Sequence, residues 1–98
     1  MVDGRWGLTI NTPIGQKFLE LDLKVSGNEA FGTLTGDSNT GVQITNGKVD
    51  ENKITYSAFL NTPVGPTNTT TTLKVDNDAM SGTISTSFGT FEVNGIKK

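Results

Sequence analysis

Few side chains in this sequence can do chemistry, and two absences narrow them first. Its 98 residues contain no histidine and no cysteine. That removes the commonest general base, every serine–histidine arrangement, thiol catalysis, disulfides and cysteine-ligated metals. Ten carboxylates remain. Glu20 and Asp22 stand two apart and share a strand face, but alternation makes it the water face, beside Lys17 and Lys24. Asp76-Asn77-Asp78 offers oxygens to a cation, yet too few for a Ca²⁺ site, and reads as a charged hairpin turn. No metal and no cofactor is expected. What is left is Tyr56, Thr69 and Thr71, which alternation sends inward. Hydroxyls inside an apolar interior can orient a bound molecule, and Tyr56 can also serve as a weak acid.

The elements that must position these groups are short strands. Gly, Thr and Asn punctuate the chain every eight to twelve residues, with alternating runs between, and no window carries helical periodicity. The first strand, Arg5 to Asn11, turns Trp6, Leu8 and Ile10 inward. The second, Gln16 to Val25, does so with Leu19, Leu21, Leu23 and Val25. The third, Ala30 to Thr35, offers Gly32 and Leu34, and the fourth Val42, Ile44 and Val49. Ile54, Tyr56, Ala58 and Leu60 follow on the fifth, then a sixth from Thr67 to Val75. The seventh brings Met80, Gly82 and Ile84, and the eighth Phe91, Val93 and Ile96. Asn46-Gly47 reads as a bulge in a long strand, with the true turn at Asp50 to Lys53.

Two halves of this plan resemble each other. Asn11-Thr12-Pro13-Ile14-Gly15 returns as Asn61-Thr62-Pro63-Val64-Gly65, Leu23-Lys24-Val25 as Leu73-Lys74-Val75, and Gly32-Thr33-Leu34 as Gly82-Thr83-Ile84. The expectation is therefore one all-β domain over residues 1–98. It is an eight-stranded antiparallel up-and-down barrel built from two repeats, 1–50 and 51–98, with first and last strands paired so that no edge is left. Where Leu19 and Leu21 stand in the first copy, the second has Thr69 and Thr71. With Ala58 and Gly82, these leave room and hydrogen-bonding groups along one wall.

Alternating hairpins send the two pentapeptide turns, Thr35 to Thr40 and Thr86 to Gly89 to one end, nearly all uncharged. The charged turns around Glu29, Asp50, Glu51, Asp76 and Asp78 go to the other. The uncharged end is the candidate mouth. A net charge of −2, with eight Lys and Arg scattered singly, argues against nucleic acid. No apolar run approaches the twenty or so residues of a membrane span, and no charged-then-apolar leader precedes the first strand, so a cytoplasmic location is expected. Outward parity exposes Phe18, Phe31 and Phe59, which points to a contact surface for a second copy or a partner domain.

Gly4-Arg5-Trp6 opening the first strand of an eight-stranded barrel resembles the Gly-x-Trp signature of the calycin superfamily of lipocalins, fatty-acid-binding proteins and avidins. The resemblance implies a barrel that holds a small, mostly apolar ligand. Trp6 would plug the closed end, under a cation from Arg5 or Lys97. The chain departs from that pattern in its short length and in lacking the late arginine, the helix and the helical lid. Three readings follow. The first is a barrel binding a neutral, mostly apolar small molecule in its lumen through Tyr56, Thr69, Thr71, Leu21, Leu60 and Phe91. The second is an accessory or oligomerisation module with a filled core. The third is a cyclase- or isomerase-type enzyme acting by positioning, with Tyr56 as its acid.

Overall fold

The computed structural model of the chain describes residues 3–13, 15–36, 39–62 and 65–98. Ile14, Pro63 and Val64 of the two pentapeptides, Val2, and Asp37 and Ser38 of the third turn lie outside the described residues. The strands are β1 (Gly4–Thr12), β2 (Gly15–Ser26), β3 (Glu29–Gly36), β4 (Asn39–Gln43), β5 (Thr45–Asp50), β6 (Lys53–Thr62), β7 (Gly65–Asp76), β8 (Ala79–Thr86) and β9 (Gly89–Lys97). They form an all-β, closed, antiparallel, up-and-down barrel of eight staves, β4 and β5 being two halves of the fourth. Among the described residues there is no helix, and none that is long and apolar enough to cross a membrane.

Each stave pairs with the next along the chain, and β9 closes on β1 through Trp6↔Lys97, Leu8↔Gly95 and Ile10↔Val93. The alternating residues converge on one core that holds Trp6, Leu21, Leu23, Leu34, Ile54, Leu73 and Val93, each almost fully buried. The fourth stave is broken at Ile44, whose N–H turns to Gly32 O at 3.0 Å. Just beyond, β5 spends three steps, Thr45 to Lys48, against two on β6, Ser57 to Thr55. The extra residue is the bulge at Asn46-Gly47, with Asn46 at φ 53°. The turn that follows is the hairpin closed by Asp50↔Lys53, with Glu51 at φ 56°.

Two inward positions differ from the sequence expectation. Ile96 points out and is 69% exposed. No bulge occurs in β9, so parity runs unbroken from Phe91 through Val93 to Gly95, and Ile96 falls on the outer face. Gly82, expected to leave room inside, leaves none. A Cβ there would stand 1.8 Å from Thr72 O, because β7 and β8 coil so closely that backbone fills the side-chain position. Gly32 repeats this at 2.0 Å from Asp22 O, and the pairs Leu23↔Gly32 and Leu73↔Gly82 are fifty positions apart, 73 − 23.

Candidate functional site: the barrel interior

Successive cross-strand pairs build an inward row across four staves, Tyr56↔Thr71↔Ile84↔Phe91. One step towards the uncharged end lies Ala58↔Thr69, and a further step Leu60↔Thr67. Tyr56, Thr69, Thr71 and Leu60 are buried and Phe91 is half-buried against the core. Leu21 is also fully buried but belongs to a separate row, Trp6↔Leu21↔Leu34↔Val42, on the other half of the wall. Five of the six residues singled out from the sequence thus share the β6–β9 wall, and Leu21 does not.

The hydroxyls on this wall are engaged within the protein. Thr69 Oγ1 donates to Ala58 O at 2.8 Å, across the same rung. Tyr56 hydrogen-bonds with the side chain of its partner Thr71. Thr67 Oγ1 lies 2.8 Å from Ser87 Oγ and accepts from Ser87 N–H at 3.1 Å, which ties β7 to the β8–β9 turn. Thr69 and Thr67 have their hydroxyl hydrogens committed, whereas the Tyr56–Thr71 bond uses one hydrogen of two and leaves the other hydroxyl able to donate. Burial raises the Tyr56 pKa well above the ordinary phenol range, with Thr71 offsetting a smaller part. The group stays protonated near neutrality and is a weak proton donor, which works against its use as a catalytic acid.

Since the folded pKa of Tyr56 is raised, the folded state holds its proton more tightly than the unfolded chain. The resulting stability is fully present below about pH 10 and is lost as pH rises beyond it. Denaturant titrations from pH 7 to 11 should therefore show an alkaline decline in the wild type that is smaller in Tyr56→Phe. Tyr56 is the one tyrosine in the chain, so the difference between the two proteins isolates it. Identical alkaline slopes would mean that the phenol ionises without cost where it sits.

Among the described residues no Asp, Glu, Lys or Arg is buried; the buried polar side chains are Asn39, Thr67, Thr69 and Thr71. An ionised guest would lose its hydration with no counter-charge in return. Lys97 Nζ sits 5.8 Å from the centroid of the Trp6 ring at the charged end. A concavity of about 270 Å³ lies outside the barrel, lined by Asp22, Lys24, Phe31, Gly32, Thr33 and Gln43. It is open to solvent and flanked by charge, unlike the interior.

Sequence reasoning missed Asn39. It looked like one more turn residue, yet it is 5% exposed and its carboxamide meets both the backbone N–H and the backbone C=O of Asn61 on β6. Only the comparison of halves carries a trace of it, since Gly89 stands fifty positions on. Thr67 was legible from its parity with Thr69 and Thr71. The outward parity of Phe18, Phe31 and Phe59 holds, at 62%, 52% and 56% exposure, and Phe88 joins them at 50%. Asp76-Asn77-Asp78 forms the hairpin turn closed by Asp76↔Ala79, with Asn77 at φ 57°.

No known protein family matches the chain, and no curated protein matches it. Among solved structures, a redesigned β-barrel, mFAP1, bound to DFHBI, superposes with a TM-score of 0.67. The match covers 99% of this chain and 94% of that one at 12% identity. At that identity the likeness is one of fold.

Proposed function

We propose that the chain is a binding barrel that takes a neutral, mostly apolar small molecule into its lumen from the uncharged end. In this reading it is one unit of two related halves, 1–50 and 51–98, of which the second carries the site. The observation behind it is an uncharged interior with hydroxyls concentrated on the β6–β9 wall. A core that only had to pack would gain more from the Leu19 and Leu21 arrangement used twice, because each buried hydroxyl must find a partner to break even. An eight-stranded barrel is wide enough either to fill with side chains or to hold one small guest. The mFAP1 barrel, which shares the fold, is described as bound to DFHBI, and that supports the interior of such a barrel as a place for a small molecule. Tyr56, Thr69 and Thr71 would orient the guest, and Leu21, Leu60 and Phe91 would supply apolar contact.

Titration with Nile red, a neutral dye bright only in apolar surroundings, tests this reading. Wild type should bind. Thr71→Phe, which fills the row between Tyr56 and Ile84, should lose binding at least tenfold while keeping its β-sheet circular dichroism. Tyr56→Phe removes one hydrogen-bonding group at nearly constant volume and should weaken binding by about fivefold. Equal binding by wild type and Thr71→Phe would put the dye outside the lumen, with the outer concavity the next candidate.

A second reading rests on the exposed Phe18, Phe31 and Phe59. Covering such rings recovers about 25 cal/mol per Å² of apolar surface, which favours a second copy or a partner domain on the outer wall. An absence of dye binding in the wild type would favour this accessory role over the lumen.

A further inference from the structure

The barrel wall is not equally closed all round. β6 directs the peptide groups of Lys53, Thr55 and Ser57 towards β5, where Lys53, Thr55 and Ser57 find Asp50, Lys48 and Thr45. The backbone N–H and C=O of Asn61 face the same way, since both meet the Asn39 side chain. Strand alternation puts the peptide of Phe59 on that side too. No ladder partner faces it among the described residues: β4 pairs with β3 alone, through Thr33↔Gln43, Leu34↔Val42 and Gly36↔Asn39. The β5–β6 ladder ends at Thr45↔Ser57, just past the bulge at Asn46-Gly47, and the break at Ile44 separates it from β4. A seam results, running from Ser57 to the uncharged end and bridged by a side chain where a backbone rung would be.

Asn39 supplies that bridge. Its Oδ1 accepts from Asn61 N–H at 2.8 Å and its Nδ2 donates to Asn61 O at 3.1 Å, an amide pair that imitates one antiparallel rung. The same Nδ2 lies 3.2 Å from Gly36 O, which anchors the carboxamide to its own turn. A side-chain rung differs from a backbone rung in one respect. It releases by rotating about two side-chain torsions, without moving either strand. Behind the seam lie Val42, Ile44, Ala58 and Leu60, so parting it reaches the same interior.

From these observations we infer that Asn39 is the latch of a lateral portal between β4 and β6, through which the neutral apolar guest of the lumen passes. This deepens the lumen reading and rests on it. The latch controls rate and leaves affinity alone, because opening it lowers the barrier for arrival and departure equally.

The experiment has one arm without ligand and one with it. In amide hydrogen exchange the N–H of Phe59 should exchange faster than those of Ala58 and Leu60, which bond into β7 at Thr69 and Thr67. Asn39→Ala should expose the N–H of Asn61 as well. A Phe59 amide as protected as its neighbours would overturn the seam. In stopped-flow mixing with Nile red, Asn39→Ala should raise the association and dissociation rates together, each about tenfold, as the loss of two modest hydrogen bonds implies. Because the chain lacks cysteine, Gln43→Cys with Phe59→Cys, each two positions beyond the Thr45↔Ser57 pair, offers a single disulfide to lock the seam, its formation checked by thiol titration. The oxidised form should bind and release the dye at least tenfold more slowly than the reduced form, at an unchanged dissociation constant. Equal rates for locked and reduced protein would overturn the portal while the lumen reading stands. Dye that fails to bind any of these proteins would overturn both.

Discussion

Gly82→Ala should cost at least about 3 kcal/mol, the upper part of the range for forcing extra atoms into a packed interior. The reason is the identity of the obstacle. The new Cβ would meet Thr72 O at 1.8 Å, Thr72 C at 2.8 Å and Leu73 Cα at 3.0 Å, all backbone of a paired strand. A clash with a flexible side-chain tip relaxes by rotation, whereas this one relaxes only if the β7–β8 ladder opens. Alanine would otherwise help a strand by reducing the freedom of the unfolded chain, so the sign of the change reports the contact. A domain of this size has only about 5–15 kcal/mol in all. Gly7→Ala is the control, since its Cβ meets chiefly the end of the Lys98 side chain at 3.1 Å and should be nearly neutral. Urea denaturation of the three proteins reads the comparison. A Gly82→Ala midpoint within error of wild type would show that the staves can separate at this corner.

Trp6→Ala should cost about 4 kcal/mol, the usual range for removing a buried tryptophan. Trp6 is 0% exposed and pairs with Leu21 on β2 and Lys97 on β9, so its ring spans the joint at which the barrel closes. Two effects meet there, apolar burial and the cation above the ring. At 5.8 Å and near solvent, the Lys97 ammonium contributes about 0.5–1 kcal/mol, several-fold less than burial. Lys97→Met should thus shift stability far less than Trp6→Ala. Comparable losses in both would make the cation the main support of the ring.

Much of the fold was legible because the chain obeys period two nearly everywhere. Leu19-Glu20-Leu21-Asp22-Leu23 admits one face for the core, and a one-residue slip would drown every leucine. The turns carry their own chemistry, from Asn77 in left-handed backbone to the Asp50–Lys53 hairpin. The β6–β9 wall was legible for the same reason, since Tyr56, Thr69 and Thr71 keep parity with Ile54 and Leu73. What the pattern could not reveal depends on three-dimensional curvature. Gly82 and an open space look alike in a sequence, and only the coiling of β7 against β8 tells them apart. Ile96 follows the Asn94-Gly95 pair, which stays regular where Asn46-Gly47 bulges, and β9 keeps unbroken register with both β1 and β8. Asn39 was hidden because its partner on β6 is distant in sequence and is a peptide group, which every residue carries.

The pairing of β1 with β9 has a kinetic side. Every other ladder joins neighbours in sequence and can zip from its hairpin, but Leu8↔Gly95 must bring together nearly the two ends of the chain. Loop-closure entropy opposes that step most, so it belongs late in folding. Until it occurs, the molecule is a curled sheet with two bare edges that can pair with another molecule as readily as with each other. Charges stand along both borders. Arg5 on β1 and Glu92 and Lys97 on β9 keep foreign strands away. The last residue, Lys98, then fastens the join, its N–H to Arg5 O at 2.9 Å and its ammonium to Glu20 at 3.1 Å. At high concentration the speed of this closure, more than the final stability, sets how much chain reaches the native barrel and how much aggregates.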